Sequence, residues 1–398
     1  MLTSSNICKK LYVALLAMYF ATIPIENVLE TGHGSIHKFL GIGILALAVL
    51  LIDFRHFKIG KLKYLLIFVG ICGLSLFWTF GDTGNDYLRT VLFLTFFTAI
   101  VLQVNLTHSE FEFLRFAICT VSAILSAMMI FGQKYQVVSL VDSGRYTIGI
   151  NGSEVDNNNL CLALAFSILF TVDYLAKKRG KFKLYYIALA TLSLAAMLFT
   201  GSRGGFLGLI AGLAGYMWIH GEGRIKPSSI FFCAAGVVFA YFLAIQILPE
   251  TLLSRFTLAS VVKSGGTGRT TIWLNALDAF WNGNPLRMIV GYGFGSFPQF
   301  LKSFCGMYKA AHNDFIQILI ELGVSGCIYY IFCLCNALKR MKSKSNALSF
   351  AIIALLIIGG ISMELFIKKM FWMGIFFSFI NIVEVELRKT TVYERDIR

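Results

Sequence analysis

Long apolar runs, separated by short polar segments, recur along the whole chain of 398 residues. A bilayer offers no water to the backbone, so a chain that crosses it must pair its own N–H and C=O groups, as helices and closed barrels do. The runs are continuous rather than alternating, which favours helices over a barrel. Only 14% of the residues are charged, whereas a soluble domain carries about 25%. The sequence therefore predicts an all-α integral membrane protein.

About twelve of these runs are long enough to be transmembrane helices. No internal repeat is evident, so residues 1–398 are predicted to form a single polytopic membrane domain. The polar stretch 249–311 is much longer than the other connections, and we expect it to form the main loop outside the membrane. The predicted spans lie at 11–24, 36–52, 62–80, 88–104, 114–133, 158–176, 184–200, 203–219, 229–248, 312–337, 347–363 and 370–387.

The distribution of lysine and arginine predicts which side of the membrane each connection faces. Short cytoplasmic connections carry an excess of these residues. With both termini in the cytoplasm, the inner segments hold 22 of the 35 lysines and arginines, and loop 249–311 lies on the outer, extracytoplasmic side. The opposite orientation would reverse the bias. Because this bias accounts for most of the net charge of +14, no nucleic-acid partner is predicted.

The long loop contains the pattern of an amphipathic helix. Apolar pairs recur every four residues, at 272–273, 276–277 and 280–281, and two tryptophans among them suit a membrane interface. Arg269 directly precedes this segment and follows several glycines. A guanidinium beside the N–H groups of a helix start makes a phosphate site. The alternative is an ordinary helix start with a solvated arginine.

Three basic residues near the predicted outer ends of the spans are candidate functional groups: Arg203, Arg269 and His312. Charge beside lipid is costly, so it marks functional sites by default. Arg203 could clamp a phosphate with two donors, or it could simply extend to the interface from a helix end. His312 is expected to open a helix, whose dipole would favour the neutral imidazole that a general base requires. A purely structural histidine is the alternative.

The sequence predicts no metal and no other cofactor. The nine cysteines include no Cys-x-x-Cys pair, and no paired His/Glu spacing typical of a metal site is present. The glycine-rich stretch 291–295 is not a G-x-G-x-x-G motif and has no strand–helix unit around it, so a nucleotide-binding fold is not expected.

Three stretches together resemble the O-antigen ligase and polymerase superfamily of bacterial envelope proteins. Residues 200–205, Thr-Gly-Ser-Arg-Gly-Gly, are similar to the Ser-Arg-Gly turn of that family. Residues 268–273 are similar to its Arg-x-x-x-Trp helix start, and residues 311–323 to its His-Asn helix. The order of the stretches and the long outer loop also match. The resemblance covers residues 195–325, which form the predicted family core.

The resemblance implies a metal-independent, inverting glycosyltransferase of the bacterial inner membrane, with an undecaprenyl-diphosphate-linked glycan as donor. Arg203 and Arg269 would bind the diphosphate, and His312 would activate the acceptor hydroxyl. Residues 156–160 resemble an Asp-Pro-Asn motif of part of the family, with asparagine in place of proline. Asn158 in this stretch would hydrogen-bond sugar or cap the sixth span.

Five residues are further candidates for binding substrate. Glu364 lies at the last outer connection, where an ion pair with Lys368 or Lys369 is the alternative. The complete set is Arg145, Asn158, Arg287, Asn313 and Glu364.

The acceptor separates two enzymatic functions. An O-antigen ligase, the main prediction, would transfer the glycan to lipid A–core in lipopolysaccharide biosynthesis. A repeat-unit polymerase for O-antigen, capsule or exopolysaccharide would transfer it to another lipid-linked glycan. Both enzymes would bind lipid-linked substrates in the membrane, so membrane lipid is a predicted partner. A third alternative is a transporter of lipid-linked glycans, which would need polar residues near the bilayer midplane, where the predicted spans are largely apolar.

Overall fold

Helices form most of the chain, as the apolar runs predict. The computed structural model describes residues 2–31, 34–57, 59–60, 62–132, 138–141, 145–150, 153–177, 182–224, 242, 245–246, 250–253 and 268–383. The helices in these ranges are α1 (Leu2–Thr22), α2 (Ile36–Leu51), α3 (Lys63–Ser75), α4 (Gly84–Val101), α5 (His108–Phe131), α6 (Asn157–Ala176), α7 (Lys183–Thr200), α8 (Arg203–His220), α9 (Glu250–Leu253), α10 (Arg269–Trp281), α11 (Pro285–Val290), α12 (Phe297–Cys305), α13 (Asp314–Arg340), α14 (Ala347–Gly360) and α15 (Lys369–Phe379).

The predicted spans coincide with these helices, except for the ninth, at 229–248, which falls almost wholly outside the described residues. Residues 254–267 of loop 249–311 also lie outside them, whereas the predicted amphipathic helix is present as α10. In the described part of the chain, five segments are long and apolar enough to cross a membrane: Asn6–Leu29, His108–Phe131, Asn157–Ala176, Lys183–Thr200 and Asp314–Arg340. The helical membrane class is confirmed, and a total of twelve crossings stays a prediction.

Short strands add to the helices at both ends of the bundle. β1 (Glu30–Thr31) pairs antiparallel with β2 (Gly34–Ser35), and β3 (Leu106–Thr107) pairs parallel with β7 (Ile382–Val383). β4 (Val138–Val141), β5 (Arg145–Ile150) and β6 (Ser153–Glu154) form an antiparallel sheet before α6. The last predicted span, 370–387, was too long, because α15 ends at Phe379 and the chain then joins β3.

Contacts between connections agree with the predicted alternation of sides. At the predicted inner end, Lys344 pairs with Glu222 at 3.2 Å, and Arg340 donates to the carbonyl of Gly60 at 3.2 Å. At the predicted outer end, Thr83 donates to the carbonyl of Gly295 at 2.7 Å. Each contact joins connections that the charge count assigns to the same side. The orientation of the two ends relative to the cytoplasm stays a prediction.

Helices α8 and α14 approach closely along a glycine stripe. Gly204, Gly208 and Gly212 recur every four residues and therefore share one face of α8. A Cβ atom at Gly208 would lie 3.2 Å from the carbonyl oxygen of Leu355, and one at Gly204 would lie 1.6 Å from Oγ of Ser362. Small residues permit such backbone approach between membrane helices. The stripe therefore sets the start of α8 against the connection between α14 and α15.

We expect Gly204→Ala to destabilise the protein, because its methyl group would overlap Ser362 and force the two helices apart. Overpacking of this kind costs about 1–3 kcal/mol, which would lower the thermal unfolding midpoint of the purified protein in detergent. Gly70→Ala is the matched control, since a Cβ there meets nothing within 4 Å. Equal midpoints for the two variants would contradict the packing.

Candidate active site

The starts of α6, α8, α10 and α13 meet at the predicted outer end of the bundle, around the segment 361–368 that connects α14 to α15. Ser202, the N-cap of α8, donates from Oγ to Oδ1 of Asn158 in the first turn of α6, at 2.8 Å. Helix starts carry unpaired N–H groups and a partial positive charge. The starts of α8 and α10 have no side-chain cap, so these two starts favour a negatively charged ligand.

Arg203 is the first residue of α8 and is half-buried. The preceding α7 ends at Gly201, whose φ of 58° is left-handed and closes the tight reversal that the sequence predicts. Because the next residue, Gly204, lies against Ser362, the arginine is held beside segment 361–368.

Arg269 reaches the same segment from the opposite direction. It is the first residue of α10, after Gly268 with a φ of 79°, and its Nη1 donates to the carbonyl of Ser362 at 2.7 Å. Ser362 thus contacts both Arg269 and the start of α8. The structure therefore brings the two predicted phosphate-binding arginines to one place, although they are 66 positions apart in the sequence.

His312 lies in a strained turn just before α13. Its φ of 49° is left-handed, which is uncommon for a residue other than glycine. Its backbone N–H donates to Oε1 of Glu364 at 2.8 Å, and the indole of Trp273 donates to the carbonyl of Ala311 at 2.8 Å. Asn313 accepts from the N–H groups of Phe315 and Ile316 at 2.9 and 3.0 Å. The histidine is therefore fixed from both sides.

This geometry corrects the prediction that His312 opens a helix. The N-cap is Asn313, and α13 begins at Asp314. The buried carboxylate of Asp314 accepts from the N–H groups of Leu365 and Phe366 at 2.8 and 3.2 Å. His312 therefore lies before the helix rather than in its first turn.

The pKa of His312 is nevertheless lowered from its ordinary value of 6.5. Partial loss of hydration is the largest cause, and Arg269 lowers the pKa further, whereas Glu364 and Asp156 raise it. The loss of hydration is only partial, because the residue keeps contact with solvent. His312 therefore favours the neutral imidazole near neutral pH, in the direction that the sequence predicts but for a different reason.

A third arginine, Arg145 in β5, lies near Arg203 and Arg269. Its Nη1 lies 3.4 Å from Oδ1 of Asn158, the same oxygen that accepts from Ser202. The pKa of Arg145 is lowered, chiefly by loss of hydration and also by the positive charges of Arg269 and Arg203. The three guanidinium groups are therefore close enough to repel one another.

The role of Asn158 as a helix cap is wrong. Asp156 is the N-cap of α6 and accepts from the N–H groups of Asn158 and Asn159 at 2.8 and 3.2 Å. The side chain of Asn158 instead bridges Arg145 and Ser202.

Two other candidate residues have contacts that the sequence did not predict. Arg287 donates to the carbonyls of Trp78 and Gly291, both at 3.3 Å, and so joins loop 249–311 to the connection between α3 and α4. Glu364 accepts from the backbone of His312, while Lys369 pairs with Glu26. Lys369 therefore has a different partner, whereas an ion pair between Glu364 and Lys368 stays a prediction.

The glycine-rich stretch 291–295 joins loop 249–311 to α13. The N–H groups of Tyr292 and Gly293 donate to the carbonyls of Ile320 and Glu321 at 3.0 and 2.8 Å. Gly323, with a φ of 70°, interrupts α13 just beyond these carbonyls. The stretch thus packs against the first half of α13.

Sequence reasoning missed Asp314 and Ser362 as parts of this site. Asp314 carried a signal, because a carboxylate at the start of an apolar run needs partners. Ser362 contributes its carbonyl and its position beside α8, and neither depends on a recognisable residue pattern.

A comparison with protein families identifies the segment that carries most of these groups. Residues 187–331 match the family model described as O-antigen ligase. The predicted resemblance is confirmed, and it supports a membrane enzyme of the O-antigen ligase or polymerase type. No curated protein sequence matches the chain. The matched segment includes Arg203, Arg269 and His312, whereas Asn158 and Glu364 lie outside it.

We expect His312 to titrate below 6.5 and the Arg269→Gln variant to raise its pKa, because a nearby cation disfavours the imidazolium. The pKa would be measured by NMR on protein labelled at its six histidines, with His312→Gln to assign the signal. Arg89→Gln is the matched control, because Arg89 is 81% exposed. An unchanged pKa in Arg269→Gln would show that the two side chains are not neighbours.

Proposed function

We propose that this protein transfers a glycan from undecaprenyl diphosphate to an acceptor hydroxyl on the outer face of the bacterial inner membrane. The proposed acceptor is lipid A–core, which makes the reaction O-antigen ligation in lipopolysaccharide biosynthesis. The observation that carries the proposal is the meeting of Arg203 and Arg269 at Ser362, with His312 held by Glu364 two residues further on. The family match over residues 187–331 supports it.

In this proposal the arginines bind the donor. A guanidinium presents two parallel donors to phosphate oxygens, and Arg203 and Arg269 each stand at a helix start that also attracts anions. Arg145 would add a third positive charge from β5. A bound diphosphate would relieve the repulsion among these guanidinium groups, which gives the site a preference for a doubly negative group over a neutral one.

His312 is the proposed general base. It would take the proton of the acceptor hydroxyl while the hydroxyl oxygen bonds to the anomeric carbon of the donor glycan. The bond from that carbon to the phosphate oxygen breaks, and the electron pair leaves with undecaprenyl diphosphate. Attack opposite the leaving group inverts the anomeric configuration. The arginines would stabilise the charge that develops on the leaving diphosphate, so the proposed step is metal-independent.

A repeat-unit polymerase is the second candidate. Asn158, which belongs to the stretch that resembles the Asp-Pro-Asn motif of some family members, contacts Arg145 and Ser202 within the site. Its presence there favours no acceptor over the other on chemical grounds. A polymerase would use the same donor groups and the same base, with a second lipid-linked glycan as acceptor.

We expect His312→Ala to lower the transfer rate by about 10²–10⁴-fold, which is the usual contribution of a positioned base. Arg203→Ala and Arg269→Ala should weaken use of the donor, and the corresponding lysine variants should recover only part of it, since lysine lacks the planar pair of donors. Transfer would be measured with purified protein in liposomes. His56→Ala is the control, because His56 is 76% exposed in the connection between α2 and α3.

The assay offers lipid A–core and lipid-linked repeat unit separately. Product on lipid A–core alone would establish a ligase, and lengthened lipid-linked glycan would establish a polymerase. Full activity in His312→Ala would refute the assignment of the base. If neither acceptor gave a product that depends on His312, the proposed transfer to these acceptors would be wrong.

A further inference from the structure

We propose that segment 361–368 is a positioning element that sets the distance between the donor-binding arginines and the base, with Glu364 as the positioning residue for His312. This inference rests on the proposed function. The segment lies outside the part of the chain that matches the family, and the sequence assigns Glu364 only to substrate binding or to a surface ion pair.

The segment contacts both a donor-binding arginine and the residue proposed as the base. At Ser362 its carbonyl accepts from Arg269 at 2.7 Å, and two residues later the carboxylate of Glu364 accepts from the backbone N–H of His312 at 2.8 Å. The donor-binding side and the base are therefore held by positions two residues apart on one backbone.

The segment is itself anchored on both sides of Glu364. Met363, Leu365 and Phe366 are buried. The N–H groups of Leu365 and Phe366 donate to Asp314, and the indole of Trp372 donates to the carbonyl of Phe366 at 2.9 Å. Side-chain and indole partners thus replace the helical hydrogen bonds that this backbone lacks. Glu364 therefore extends from a fixed support rather than from a loose loop.

The two contacts between this segment and the start of α13 are reciprocal. Asp314 of α13 accepts from the backbone of the segment, and Glu364 of the segment accepts from the backbone before α13. Each carboxylate accepts hydrogen bonds from the backbone of the segment that carries the other carboxylate. Such an arrangement fixes the relative position of His312 and segment 361–368 more firmly than a single contact would.

The conformation of His312 explains why it needs a positioning residue. A left-handed backbone costs of order 1 kcal/mol or more for a residue with a Cβ, and it persists only where the surroundings enforce it. Glu364 accepts from the N–H group of this very residue. Without that acceptor, we expect the turn to relax and the imidazole to leave the place where the acceptor hydroxyl would be bound.

Two variants separate the hydrogen bond of Glu364 from its charge. Glu364→Gln keeps an oxygen that can accept from His312 and removes the negative charge. Glu364→Ala removes both. The matched control is Glu30→Gln, the same change at an exposed carboxylate in the connection between α1 and α2.

The first measurement is hydrogen exchange of peptides that cover residues 308–316, which needs no turnover. We expect Glu364→Ala to exchange faster there, and Glu364→Gln and Glu30→Gln to exchange like the wild type. Wild-type protection in Glu364→Ala would overturn the inference. If the wild type transferred no glycan, the proposed function would fail, while this measurement would still decide whether Glu364 holds the turn.

The second measurement is steady-state transfer as a function of pH. A misplaced reacting group costs up to about 100-fold, so Glu364→Ala should lose about 10- to 100-fold in kcat with little change in the KM for donor. Glu364→Gln should keep most of its kcat. A higher KM with unchanged kcat in Glu364→Ala would show that Glu364 binds substrate instead, and would overturn the inference.

The pH profile gives a signature that a merely structural role would not produce. The charged groups around His312 are Glu364, Arg269, Asp156 and Lys368. Because the carboxylate of Glu364 raises the pKa of His312, its removal should shift the acid limb of kcat/KM to lower pH in Glu364→Gln. An acid limb that stays in place, or moves to higher pH, would contradict the electrostatic part of this assignment.

Discussion

The buried carboxylate of Asp314 holds segment 361–368 against the start of α13, and the other contacts of the site depend on this interaction. Helix α14 ends at Gly360, and the buried backbone that follows is not helical, so its N–H groups need other partners within the protein. Asp314 supplies two such partners, to Leu365 and Phe366, and the hydroxyl of Tyr330 lies 3.3 Å from its second oxygen. Segment 361–368 can therefore remain non-helical and present Ser362 and Glu364 to the site.

The charged groups of the site are brought together around segment 361–368. Arg145, Arg203 and Arg269 lie close enough to repel one another, and Arg269, Glu364 and Asp156 act on His312. Like charges that are held together and partly dehydrated destabilise the unliganded protein, and a bound anion removes that cost. Arg269, which would bind the donor, also lowers the pKa of His312, in addition to the partial loss of hydration that is the largest cause. Binding and base strength are linked through Arg269, which acts on both.

The sequence predicts the parts of this structure that depend on local pattern. Continuous apolar runs identify the helices, and a helix start after several glycines identifies Arg269 and α10. Contacts between distant positions leave no such pattern. Asp314 could be recognised as a charge in an apolar run, but not the direction of its side chain, and Ser362 acts through its backbone. The buried pair of Arg115 with Asp173, at 3.0 Å and each 1% exposed, joins α5 to α6 across 58 positions and was missed for the same reason.

The family match does not include all the residues that hold the site together. The matched segment ends at residue 331, yet the contacts that place its arginines and histidine come from Asn158 on one side and from Ser362 and Glu364 on the other. The basic residues would supply the chemistry, whereas backbone, amide and carboxylate groups outside the match hold them in place. A chain could therefore carry all three basic residues in the right order and still lack the site, if α6 and segment 361–368 did not hold them together.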